Sequence, residues 1–312
     1  MSSQSSGPPN PRHAKYRQLQ VHPWSGCPLT ILLITICVIV AIFTKFGEDH
    51  KPVKWMYFAK QPFWEHGEKI EKELTKLEKA EEFESTQYNE LLEEYSELMA
   101  LKPPPFQEIQ KGQVWRVLTP MFLHFGPIHL ILNMIWLWTL GRMLEPLLRK
   151  PLYILLITFI AIGAHCTEAA IGGTNFGGMS GVIYGMFGFV VVHSRIHPMS
   201  VLRLDPKTVR FMLIWLVLCF TGLLGPIANW AHLFGLLTGG ALGLAHALRS
   251  GGLQLLKRRY AFRKAIVSGQ QAALHQCVVC NVTDHHNSSL EFRVCEDGNE
   301  YCENHLPDGI SR

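Results

Sequence analysis

A serine flanked by small residues, Gly178-Met179-Ser180-Gly181, opens an apolar stretch with helical character. Where irregular backbone becomes helix, a hydroxyl is exposed and the first N–H groups have no acceptor inside the helix. Ser180 therefore has the setting of a nucleophile with a place for negative charge beside it. Fifty-two residues later, Ala231-His232-Leu233-Phe234-Gly235 opens another apolar stretch, and its imidazole is a candidate base for that serine. His129 and Asn133 lie one helical turn apart on a third such stretch, with polar groups that can face one point. The chemistry these residues allow is acyl transfer: hydroxyl attack, proton transfer to imidazole, and donors for the charge on the tetrahedral oxygen. No Asp or Glu falls within Ser180 to Val192 or Ile227 to Leu248, so a dyad is expected rather than a carboxylate-completed triad. A Gly-x-Ser-x-Gly elbow after a strand is excluded, because Val182 stands at the fifth position and the setting is helical.

The elements that must bring these residues together are apolar and long. Of 312 residues, 48% are hydrophobic and 17% charged, and Glu65 to Glu97 alone holds twelve of the 25 acids. Outside that segment the chain is basic and contains long uncharged runs: Pro28 to Phe46, then about Ile128 to Leu148, Pro151 to Ile171, Ser180 to Val192, Val209 to Leu224 and Ile227 to Leu248. This pattern predicts an all-α polytopic membrane protein with six spans. The leader before Pro28 is too long for a signal peptide and no Ala-x-Ala-like site follows, so the first run is expected to be retained. The connections around Arg142/Arg149/Lys150, Arg195/Arg203/Lys207/Arg210 and Arg249/Lys257/Arg258/Arg259 are basic, whereas Gly172 to Gly178 and Gly225 to Asn229 carry no cation. The excess of cations on one side predicts that spans two, four and six run inward, leaving both termini cytoplasmic; the plasma membrane is the expected location.

Residues 1–27, rich in Ser, Pro and Gly, read as a flexible tail and 28–46 as the first span. Residues 47–113 form a polar external insertion. In it Ile70, Leu74, Leu77, Tyr88, Leu91, Tyr95 and Leu98 approximate a stripe, interrupted at Glu81 and Glu84, which predicts a long helix or helical hairpin with its charges facing water.

Depth argues that the three helix starts meet. At 1.5 Å per residue, Ser180 lies ~22 Å from Arg195, His129 ~20 Å from Arg142 and His232 ~26 Å from Arg249. Against a ~30 Å hydrocarbon core, all three fall just below the outer surface. Gly172 to Gly178 is too glycine-rich for helix yet must enter the membrane to reach Ser180, which requires a water-filled recess or a packed interior. Gly235, Gly239 and Gly243 on the last span, and Gly181, Gly185 and Gly188 on the fourth, form smooth faces that let two backbones approach, and Gly178 is grouped with these packing glycines. Tyr184, one turn below Ser180, is placed to pack on the His232 ring.

These residues resemble the rhomboid family of intramembrane serine proteases over roughly Gln113 to Leu248. The resemblance is carried by Trp115-Arg116, His124, His129-x-x-x-Asn133, Glu145, Gly178-Met179-Ser180-Gly181 with Tyr184, and Ala231-His232-x-x-Gly235-x-x-x-Gly239. It implies a six-helix rhomboid bundle with a catalytic core over 114–249, a Ser180/His232 dyad that needs no catalytic cofactor, and an oxyanion hole made by His129, Asn133 and the Ser180 N–H. It also implies transmembrane protein substrates that enter laterally. The acidic insertion and the tail depart from a minimal rhomboid. A rival reading from another class is a non-proteolytic rhomboid-fold protein that binds or escorts membrane clients; it has no use for the full constellation of Ser180, His232, His129 and Asn133. A small-solute channel is disfavoured, since no polar stripe continues inward.

The last stretch carries different chemistry. Cys277-x-x-Cys280 and Cys302-x-x-His305 are two short chelating knuckles, with Cys295 between them able to replace Cys302 or His305. Four such ligands suit a tetrahedral structural zinc, and residues 274–306 are expected to fold as a small zinc-binding tail; disulfides compete as a reading but would be reduced on the cytoplasmic side. Residues 250–273 read as a basic linker contacting lipid headgroups and 307–312 as the end of the chain. No nucleic-acid partner is expected.

Overall fold

The computed structural model describes residues 26–306 except 65, 81–84, 102, 198–199, 253, 258–259, 262–274, 285–286, 288 and 296–298. The expectations for the N-terminal tail, the interruption at Glu81 and Glu84, most of the basic linker and the last six residues lie outside the described residues.

Helix α1 (Pro28–Phe43) starts with proline at its first position, where a missing N–H costs nothing. Its free N–H groups are met from a distant part of the chain: Glu145 Oε1 accepts from Leu29 N–H (2.9 Å) and Oε2 accepts from Thr30 N–H (2.8 Å) and Thr30 Oγ1–H (2.7 Å). Tyr153 completes this buried cluster at 2.9 Å from Thr30 Oγ1. The external insertion forms α2 (Gly67–Lys79) and α3 (Thr86–Ala100), a hairpin whose α3 is capped by Ser85 Oγ accepting from Tyr88 N–H. The predicted stripe is the seam of that hairpin, with Ile70 and Leu74 buried and Leu98 and Tyr95 packed near Gly67. A short α4 (Gln107–Gln110) follows. The insertion is bolted to the bundle by Arg116, which is buried and donates to Lys54 O (3.0 Å), Tyr57 O (2.6 Å) and Gln113 Oε1 (2.7 Å).

Helix α5 (Pro127–Thr167) contains both runs predicted as spans two and three, broken at Arg149 (φ 57°, ψ 156°) just before Pro151. Proline cannot continue the preceding turn but starts the next one well, so the break falls where the sequence predicts a connection. A π turn, Glu168–Gly172, ends α5. Helices α6 (Ser180–Ile196), α7 (Pro206–Cys219) and α8 (Asn229–Arg249) complete the bundle, α7 being capped by Asp205, which accepts from Lys207 and Thr208 N–H. Helix α6 is buried without interruption from Gly181 to Val190, as a helix that is apolar all round must be when it sits at the centre. A Cβ at Gly235 would overlap Gly181 O, one at Gly239 would overlap Gly185 O, and one at Gly243 would lie 2.5 Å from Phe189 O. Helices α6 and α8 therefore touch backbone to backbone, which only glycine permits.

The outer surfaces of α1, α5 and α7 are aliphatic and aromatic, with Ile42, Phe43, Ile128, Ile135, Phe159, Ile214 and Val217 all more than half exposed. An apolar belt of this extent is more than soluble monomers usually leave to water. Two helices, spanning Pro127–Gly172 and Asn229–Arg249, are long and apolar enough to cross a membrane. In the tail, β1 (Phe292–Val294) pairs antiparallel with β2 (Glu300–Cys302), with Phe292 opposite Cys302, and a turn Glu303–His305 follows.

Candidate active site

Ser180 is the first residue of α6 and His232 lies in the first turn of α8. The glycine contacts between these two helices bring Ser180 Oγ within 2.7 Å of His232 Nε2. For Nε2 to accept the hydroxyl proton, the imidazole must carry its own proton on Nδ1, which is buried and has no hydrogen-bond partner among the described residues. The Tyr184 ring lies against the imidazole, with centroids 4.8 Å apart at 34°, and its hydroxyl donates to Met212 O of α7 at 3.2 Å. Both ends of the Tyr184 side chain are thus fixed, and the His232 ring has little room to turn.

Gly178 does not pack helix against helix. It sits in the turn before α6 with φ +118°, where a side chain would be strained, and a Cβ there would lie 2.8 Å from His129 Nε2 and 3.7 Å from Ser180 Oγ. The grouping of Gly178 with the helix-packing glycines is therefore corrected: its missing side chain is the space in which His129 and Ser180 face one another. Gly181, Gly185, Gly235 and Gly239 do line the α6/α8 contact.

His129 Nδ1 accepts from the Phe125 N–H at 3.3 Å, which puts its ring proton on Nε2, the nitrogen beside Gly178. His124, almost fully buried, lies 5.2 Å away ring to ring. Asn133 Nδ2 donates to His129 O at 2.8 Å, spending one of its two amide hydrogens, and Oδ1 has no partner among the described residues. Ser180 opens its helix, so its N–H has no acceptor within it. His129 Nε2 and the Ser180 N–H thus lie on the Gly178 side of the dyad, and Asn133 is tied to the backbone of His129.

Two buried acids of the helical bundle were not singled out as site residues by the sequence. Glu145, named only as a family feature, caps α1. Glu168, at the π turn, accepts from Ala231 N–H at 2.8 Å. Its signal was available, since Glu168 is the one Asp, Glu, Lys or Arg between Lys150 and Arg195, and a charge at that depth is costly unless it has a task.

A separate cluster lies in the tail. The donor atoms of Cys277, Cys280, Cys302 and His305 all lie within 4.8 Å of one another. Cys280 Sγ is 3.8 Å from Cys302 Sγ, Cys277 Sγ is 3.8 Å from His305 Nδ1, and Cys302 Sγ is 3.2 Å from His305 Nδ1. Burial acts to raise the Cys277 thiol, but the N–H groups of Cys280, Cys302 and Val279 outweigh it and bring it down to about 6, favouring the thiolate a metal needs. Cys295 is not among the four, so both Cys302 and His305 belong to the cluster and the alternative with Cys295 is not what the fold gathers.

Residues 111–249 match the family model described as the rhomboid domain. Curated relatives named rhomboid protease GlpG, from Salmonella paratyphi A, Salmonella newport and Salmonella typhi, are each 32% identical over 147 residues, 47% of this chain and 53% of theirs. The chain thus spans about half the length of the curated relatives it matches.

Proposed function

We propose that the chain, whose residues 111–249 match the rhomboid domain model, is an intramembrane serine endopeptidase acting on transmembrane segments of membrane proteins. The observation that carries this reading is the 2.7 Å contact between Ser180 Oγ and His232 Nε2 at two helix starts of an apolar bundle.

In the reaction, Ser180 Oγ attacks the scissile carbonyl carbon while His232 Nε2 takes the hydroxyl proton. The carbonyl π electrons move to oxygen, where the Ser180 N–H, His129 Nε2–H and the second Asn133 amide hydrogen donate to the resulting oxyanion. Such donors act mainly on charge that appears in the transition state, typically ~3–4 kcal/mol each. His232 then gives its proton to the leaving amine as the C–N bond breaks, leaving an acyl ester on Ser180. Water attacks that ester with His232 again as base, and the acid product and free Ser180 are regenerated. Tyr184 holds the imidazole in the plane the two transfers need.

The arrangement read from the sequence is retained here as part of the proposal: spans formed by α1, the two halves of α5, α6, α7 and α8, with both termini cytoplasmic and the dyad in a recess below the outer face. It is supported by the aliphatic belt and by the irregular Gly173 to Gly178 backbone leading to Ser180. In the tail, Cys277, Cys280, Cys302 and His305 fit a structural zinc: at a Zn–S bond of ~2.3 Å, the edge of a tetrahedron is about 3.8 Å, the separation that Cys280 and Cys302 show. The metal takes no part in cleavage.

The test is labelling of detergent-solubilised protein with a fluorophosphonate probe, alongside cleavage of a model transmembrane substrate. Wild type should label and cleave, and Ser180→Ala and His232→Ala should do neither while retaining the helical content of wild type. Substantial cleavage by either variant would defeat the assignment. For topology, cysteines placed at Gly173 and Gly225 should react with an impermeant maleimide from outside and one at Lys207 should not; the reverse pattern would overturn the orientation.

A further inference from the structure

Helix α8 starts without a side-chain cap of its own, since Ala228 occupies the capping position. The cap comes instead from Glu168, which is 5% exposed and sits at the π turn closing α5. Its Oε2 accepts from Ala231 N–H at 2.8 Å. This N–H belongs to the first turn of α8, where the backbone leaves donors unpaired and the helix dipole favours an anion. Ala231 is the residue before His232. The other oxygen, Oε1, occupies the space that a Cβ at Gly172 would take, so Glu168 is wedged between the end of α5 and the start of the helix that carries the base.

Facing His232 are Ser180 and Tyr184 from α6 and His129 from the start of α5, with Cys219 of α7 behind Tyr184. Glu168 reaches the N–H of the preceding residue, Ala231. In a Ser-His-Asp triad the carboxylate bonds to Nδ1, which both orients the ring and stabilises the imidazolium. Here Nδ1 has no partner among the described residues, and the carboxylate instead reaches the backbone one residue away.

We propose that Glu168 is the positioning residue of the dyad. It ties the first turn of α8 to the end of α5, which sets where His232 Nε2 meets Ser180, and its negative charge favours the imidazolium that His232 becomes on taking the Ser180 proton. The catalytic chain is then serine, histidine and a carboxylate acting through the helix terminus rather than through the ring. This inference rests on the Ser180/His232 reading above.

The experiment measures kcat and KM on a transmembrane substrate across pH for the full-length wild type, Ser180→Ala, Glu168→Gln and Glu168→Ala. Glu168→Gln keeps an oxygen that can accept from Ala231 N–H and removes only the charge. It should lower kcat by about tenfold with KM unchanged and move the acidic limb of the pH–rate profile down by roughly one unit, because a base with no anion near it protonates less readily. Glu168→Ala loses the cap as well and should fall further, with Gln recovering part of the loss. A Glu168→Gln enzyme with wild-type kcat and acidic limb would overturn the proposal, and so would one whose kcat falls while the limb stays in place, since that is a packing effect alone. If Glu168→Gln does not fold, Gly172→Ala provides the second route: its Cβ displaces Oε1 without altering charge and should lower kcat at constant KM, and a wild-type kcat there rejects the inference. Activity persisting in Ser180→Ala would sink the dyad itself, a failure distinct from either of these.

Discussion

Two groups of polar side chains converge in this chain, and they converge for opposite reasons. Around Ser180 and His232 the meeting point is set by backbone: α6 and α8 touch through Gly181, Gly185, Gly235 and Gly239, and the two side chains follow. Around Cys277, Cys280, Cys302 and His305 the described residues offer little core, chiefly a strand pair of three residues each, a bridge between Gln276 and Thr283 and a short turn. The first contact forms without a ligand, as the proposed acyl transfer requires. In the second the proposed zinc would supply much of the energy that holds the residues together. Geometry that looks equally tight in both thus has different causes, and perturbations should separate them.

The largest effect is expected at the α6/α8 contact. Gly239→Val places a Cβ and two methyls where Gly185 O already sits, so the helices must part and the dyad with them. Cleavage should disappear, accompanied by a large drop in thermal stability. Gly240→Ala is the matched control: its Cβ would lie 3.4 Å from Val192 Cγ2, an ordinary contact, and the change to alanine favours helix by up to ~1 kcal/mol. That variant should cleave as wild type and melt no lower. Equal damage from both would mean that the region is merely intolerant, and that the backbone contact is not what gathers the site.

Next in size is Asn133→Ala, which removes one proposed oxyanion donor without disturbing the helix contact. It should reduce kcat by about 10²-fold with little change in KM. A rise in KM alone would make Asn133 a substrate contact. The residual amide hydrogen of Asn133 is offered to the site only because the other is held by His129 O, so Asn133→Asp, which has no amide hydrogen to give, should resemble alanine.

The contact of Ser180 with His232 was legible because its determinants are local and repetitive: a serine between glycines at a helix start, and glycines recurring every fourth residue. The hairpin stripe from Ile70 to Leu98 and the break before Pro151 were legible for the same reason. What the sequence left hidden depends on which helix ends lie side by side. Glu145 caps a helix that begins more than a hundred residues earlier, and Glu168 caps one that begins sixty residues later, so neither acid belongs to a local motif. Gly178 misled because spacing cannot tell a glycine needed for φ from one needed for helix contact. In the tail, five candidate ligands for four positions could not be sorted until the strand pair put Cys302 beside the Cys277 knuckle and left Cys295 at the other end of β1.

The smallest effect on cleavage, and the sharpest contrast with the dyad, is expected from removing the metal. Purified full-length protein should contain one zinc per chain, and Cys277→Ser should lose most of it, whereas Cys295→Ser should retain it. Hydrogen exchange should then show the strand pair Phe292–Val294 and Glu300–Cys302 losing protection in Cys277→Ser or after chelation, because short strands without a core cannot hold their ladder unaided. The α6/α8 helices should keep theirs, since glycine contact and not metal holds them. Cleavage of the model substrate by the chelated enzyme should stay within about twofold of wild type, a difference below ~0.5 kcal/mol. Loss of activity together with the metal would join the two sites energetically and break the contrast. Zinc bound equally by the Cys277 and Cys295 variants would show that the ligand set is not the one the fold brings together.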